Sequence, residues 1–102
     1  MKAVWTDPAE EDRERIVLFI AQDNPVAAVE MDEFFIAAGD SLATLAARCR
    51  PGRVPDTREL IVHKNYLLVY GFDEEADTIY IKAVLHASQQ WPPESRDAHD
   101  EE

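Results

Sequence analysis

Apolar and polar positions alternate differently along successive stretches of the chain, and each rhythm predicts an element. At the start, "MKAVWT" puts Val4 and Thr6 in β-prone positions and predicts a short strand. "DPAE" follows, with Asp7 as the expected N-cap, Pro8 at the first helical position and Glu10 where a capping box places an acid. This helix is expected to run to about Gln22. Its "IVLFIA" (16–21) is apolar nearly all round, which predicts that much of it is buried. Asn24 and Pro25 then cap and open a second helix. Ala28, Met31, Phe35, Ala38, Leu42 and Leu45 recur at spacings of 3, 4, 3, 4 and 3, a single helical stripe. Such a stripe reads as core rather than as a cofactor site. Gly39 is expected to bend or loosen this helix. With only a short link between them, the two helices should form an antiparallel hairpin.

The second half of the chain changes to a period of two. Pro51, Gly52 and Pro55 mark "RCRPGRVPDT" as a loop, and strands are expected near 57–63, 66–72 and 78–86. Lys64-Asn65 fits a two-residue hairpin turn, and "DEEADT" a longer one. In the last strand alternation groups Ile79, Ile81, Ala83 and Leu85 on the core face. Tyr80, Lys82, Val84 and His86 then line the open face. The predicted fold class is α+β, in the order β-α-α-β-β-β: an antiparallel sheet covered on one face by a helical hairpin. Residues 1–93 read as one domain and 94–102 as an acidic, flexible tail.

Composition narrows the classes. At 102 residues and 46% apolar, the chain is large enough for one core. Cys49 is the single cysteine, so no intramolecular disulfide forms, which suits a reducing cytosol. Arg48 and Arg50 flank it and favour its thiolate, but no nucleophile pattern surrounds it, so it reads as an inert thiol. No run approaches the roughly 20 apolar residues of a membrane span, and the N-terminus turns charged too early for a signal peptide. A soluble, cytoplasmic protein is expected. His63, His86 and His99 lack metal-ligand spacing, and the acids at 73–77 lack the length and glycine of a calcium loop. Neither cofactor nor metal is expected. The net charge of −11 works against direct binding to nucleic acid, whose phosphates repel it. Within that acidity, residues 48–64 carry five cations against two acids.

Several motifs occur in a fixed order. They are "DNPVAA" from Asp23, Gly52-Arg53, Thr57 to Leu60 ("TREL"), Tyr66 with Tyr70, Val84 with His86, and Trp91-Pro92. Over about residues 1–93 this order resembles the RelE/ParE superfamily of type II toxin–antitoxin toxins, nearest its ParE-like branch. The resemblance implies a compact toxin held inactive by a cognate antitoxin whose C-terminal segment folds onto it, with a higher-order assembly allowed. RelE-like and YoeB-like members cleave mRNA on the ribosome, and ParE-like members inhibit DNA gyrase. In RNA-cleaving members an arginine usually follows the tyrosine that opens the third strand, and arginines follow the histidine. Here those positions hold Leu67 and the stretch Ala87-Ser88-Gln89-Gln90. Losing cations that stabilise a phosphorane costs several kcal/mol.

The expected function is therefore inhibition of DNA gyrase by binding, without covalent chemistry. The alternatives are a ribosome-dependent endoribonuclease using His86 and Arg58, or a member of the fold that has lost toxicity. Arg53, Arg58, Lys82, His86 and Trp91 are the candidate contacts to target or antitoxin. Three of them also have a plainer reading. Arg58 could pair across strands, Trp91 could anchor the C-terminus on the helices, and His86 could be a structural hydrogen-bonder.

Overall fold

The structure, a computed structural model, describes residues 2–45, 50–51, 56–63 and 65–88. The elements are β1 (Lys2–Trp5), α1 (Asp7–Ala21), α2 (Pro25–Leu45), β2 (Arg50–Pro51), β3 (Arg58–His63), β4 (Tyr66–Asp73) and β5 (Thr78–His86). The strands form one sheet in the order β1-β5-β4-β3-β2. The expected α+β class holds, with two refinements. A two-residue strand, β2, precedes the three long ones, and β1 joins the sheet parallel to β5 while all other pairs are antiparallel. Among the described residues no helix is long and apolar enough to cross a membrane. Arg53, Cys49, Lys64, Trp91, the tail 94–102 and the side chain of Leu45 lie outside the described residues.

Thr6, not Asp7, caps α1. Its extended backbone leaves the side chain free to accept from the Ala9 N–H at 3.4 Å. The same hydroxyl donates to the Ile81 carbonyl at 2.7 Å, so one residue starts the helix and ties it to β5. Asp7 and Glu10 fall in the first turn, where carboxylates suit the helix dipole. Asn24 caps α2 as expected, its Oδ1 accepting from the Ala27 N–H at 3.0 Å.

The α2 stripe packs as predicted: Ala28, Met31, Phe35 and Leu42 are buried and Ala38 is half-buried. Met31, Phe35, Leu42 and Ala38 meet Leu68, Tyr70, Ile79, Ile81 and Val84 of the sheet in one core. The expectation for α1 fails. Ala9 is its one buried residue, Ile16, Val17 and Ile20 are half-buried, and Leu18 and Phe19 are exposed. A helix resting on a single sheet face can bury only one stripe, however apolar its sequence.

Gly39 does not interrupt α2. It makes room for a side chain, since a Cβ there would sit 2.8 Å from Trp5 Nε1 and 3.2 Å from the indole ring. Trp5 is covered on its other side by Arg13, whose guanidinium lies 4.7 Å from the ring centroid and pairs with Asp32 at 3.3 Å.

The alternation expected for β5 breaks at Lys82. Val69 of β4 faces Ala83, but the next residue, Tyr70, faces Ile81, so Lys82 is the extra residue of a β-bulge. Ile79 and Ile81 point to the helices as predicted, but Ala83 and Leu85 do not. They join Leu67 and Val69 in a second buried cluster on the other face. Val84 and His86 change sides in the opposite sense, and Val84 enters the main core. Only Tyr80 and Lys82 keep the predicted open face.

Candidate functional site

The two ends of β4 carry the groups that chemistry or recognition could use. At the hairpin end, Tyr66 pairs with His63 on one side and His86 on the other. The His86 ring packs edge-on to Tyr66 at 5.4 Å, and Tyr66 packs edge-on to the buried Phe35 at 5.8 Å. His63 lies 5.9 Å from Phe34 of α2. Ile20, Glu30, Met31 and Phe34 line, with His63 and Tyr66, a depression between the hairpin and the sheet. His86 is held locally: its Nδ1 accepts from the Ser88 N–H at 3.2 Å and lies 2.8 Å from Ser88 Oγ. The Ala87 N–H donates to the Asn65 carbonyl at 2.7 Å, which fixes the strand end against the turn.

At the other end, Arg58 pairs with Tyr70 and is half-buried. Its guanidinium lies 5.8 Å from the Phe72 ring centroid. Asp56, Thr57, Arg58, Phe72 and Glu74 line an open depression there. Asp56 enters it with φ of 68°, a left-handed conformation that aspartate tolerates.

Lys82 projects on the opposite face, where the bulge aims it across Gly71. A Cβ on Gly71 would lie 3.1 Å from Lys82 Cε and 3.5 Å from the Asp56 carbonyl, so the glycine leaves the lysine stem its path. Arg58, Lys82 and His86 are therefore not gathered into one site. Four residues of β4 separate the row of His86 from that of Arg58, and β4 itself lies between them. At roughly 3.3 Å per residue along the strand and 4.8 Å between strands, their backbones stand on the order of 16 Å apart. Arg53 and Trp91 lie outside the described residues.

Leu67, the residue after Tyr66, is 1% exposed in the second apolar cluster. Among the described residues no group of acids, histidines or cysteines is arranged to hold a metal. The sequence reading missed Phe72 beneath Arg58, and Glu30, Phe34 and His63 beside Tyr66. The period of α2 carried the signal for Phe34, which sits beside the core stripe rather than on it.

Comparison with known proteins matches this architecture. The family model for the "ParE toxin of type II toxin-antitoxin system, parDE" matches residues 3–91. A Sinorhizobium fredii protein named "Putative toxin Y4kP" is 36% identical over 89 residues, covering 86% of this chain and 90% of the relative. A chromosomal ParDE system from P. aeruginosa superposes with a TM-score of 0.76 at 20% identity, covering 84% of this chain and 95% of that one. The RelBE2 toxin–antitoxin complex of Mycobacterium tuberculosis superposes at 0.56 and 24% identity, covering 83% and 95%. These two likenesses speak to the fold. On the family match across residues 3–91 and the 36% identical relative, the chain belongs to the ParE family of toxins of type II toxin–antitoxin systems.

Proposed function

We propose that the protein inhibits DNA gyrase by binding to it in the cytoplasm, and that a cognate antitoxin neutralises it by folding onto its surface. The observation that carries the binding reading is the separation of His86 from Arg58. General acid–base cleavage of RNA needs its proton-transfer group and its phosphate-stabilising cation within contact distance of one phosphodiester. Here the two stand four positions apart along β4 and on either side of it. Leu67 adds to this, since a buried leucine supplies no charge to a phosphorane. Binding requires only surface, and Arg58 stacked near Phe72 and Lys82 laid over Gly71 are held in place without a reaction to perform. The antitoxin reading takes its support from the structural relatives, described as a ParDE system and a RelBE2 toxin–antitoxin complex.

Growth of cells expressing the chain from a tightly controlled promoter tests this. The wild type should arrest growth, co-expression of the protein encoded beside it should relieve the arrest, and His86→Ala should arrest as strongly as wild type. Loss of arrest in a His86→Ala protein of unchanged circular dichroism, with mRNA cut on ribosomes by the wild type and not by the variant, would transfer the function to RNA cleavage.

A further inference from the structure

The face of the sheet turned away from the helices is covered, although no helix covers it. Leu67, Val69, Ala83 and Leu85 form the apolar cluster there, and each is no more than 1% exposed. Ala9 of α1 and Met31, Phe35 and Leu42 of α2 all pack on the other face, in the main core. The second cluster consists of strand residues alone. An antiparallel sheet with helices on one face commonly leaves the other to water, so side chains buried on that second face have a cover of their own. Its position follows from the neighbours. Leu67 pairs with Ile61 of β3 on one side and with Leu85 of β5 on the other, so the three side chains share this face. Ile61 is 56% exposed. The cover therefore stops short of β3 at this level, and a segment reaching Leu67 from the β2 edge would have to cross Ile61. On the β5 side, β1 pairs only as far as Ile81, so no strand flanks Leu85, yet Leu85 is buried.

We propose that the occupant is the chain's own segment 89–93, which folds back as a strap and seats Trp91 on Leu67 and Leu85. The described chain ends at Ser88, just past β5, and the next five residues read QQWPP. Trp91 lies three residues beyond Ser88, a reach of up to about 10 Å, and Leu85 lies three residues before it. One indole buries about 150–250 Å², enough to close a patch of four small aliphatic side chains. Trp91 thus anchors the C-terminal segment to the sheet rather than to the helices, and any partner that meets this face has to displace it. Neither gyrase nor an antitoxin is needed for the contact.

Proton cross-relaxation in the full chain tests this without a variant. The Trp91 indole, resolved from that of Trp5, should show contacts to the methyls of Leu67 and Leu85. Contacts from Trp91 to α1 or α2, or to no residue outside its own segment, would overturn the proposal. A soluble paramagnetic agent gives a second reading. In the wild type it should broaden the Ile61 methyls and spare those of Leu67, Leu85 and Leu68. In Trp91→Ala the Leu67 and Leu85 methyls should broaden severalfold more, while Leu68, in the core under the helices, stays protected and shows that the fold is intact. Continued protection of Leu67 and Leu85 in that folded variant would also overturn it. If Leu68 broadens too, the variant has unfolded and the wild-type contacts alone decide.

Discussion

Asp12 shows how much one side chain can settle. Strand β1 covers β5 only as far as Ile81, and the N–H of Val84 beyond it would otherwise lack a partner. Asp12 Oδ2 accepts that N–H at 3.1 Å, while Oδ1 accepts from Arg15 at 2.8 Å. Asp12→Ala leaves a part-buried donor unsatisfied and should cost about 1–3 kcal/mol in urea unfolding. Asp12→Asn keeps an acceptor and should cost less; equal losses would mean that the contact to Val84 contributes nothing. Gly39 makes a second test. The branched side chain of Gly39→Val must displace Trp5 from beneath Arg13, at about 2 kcal/mol for overpacking. An unchanged unfolding midpoint would show that the indole yields freely. Neither role is legible in the sequence. Asp12 reads as one more acid on a helix, and Gly39 as a weak point, because both act through residues distant in the chain. Asn24 was legible because its hydrogen bond closes within three residues.

At the scale of elements, the sequence predicts the two helices and the three long strands to within a residue or two, because their periods differ. Burial was legible for α2, where one stripe is apolar, and misleading for α1, where apolar residues surround the axis. Face assignment in β5 failed for a definite reason. Strand alternation assumes an unbroken register, and the bulge at Lys82 shifts it by one residue, so Val84 and His86 exchange sides with Ala83 and Leu85. His86 consequently stands beside Tyr66 on the helix side and not on an open sheet face with Lys82. Deleting Lys82 removes the extra residue, and simple alternation then keeps Ile81, Val84 and His86 on the helix side and Ala83 and Leu85 on the other. Such a chain should still unfold cooperatively in urea, at a cost of about 0.5–3 kcal/mol. A chain left unfolded by circular dichroism would contradict the bulge.

The molecule as a whole is a ParE-family toxin fold whose negative charge is concentrated in the helical hairpin, with a net of −8 over residues 7–45 out of −11. The order of short motifs from Asp23 to Trp91 made the family legible in the sequence, and the match over residues 3–91 agrees with it. What stayed illegible was the arrangement of the candidate residues, because only the sheet register decides that Arg58, Lys82 and His86 are spread over two faces and two ends. That spread favours recognition over catalysis. The central claim is tested most directly by gyrase supercoiling of relaxed plasmid, titrated with purified, antitoxin-free protein alongside His86→Ala. Inhibition or trapped cleaved DNA at near-stoichiometric amounts, identical for the two proteins, is the predicted result. Supercoiling that proceeds unchanged in the presence of excess folded protein would contradict it.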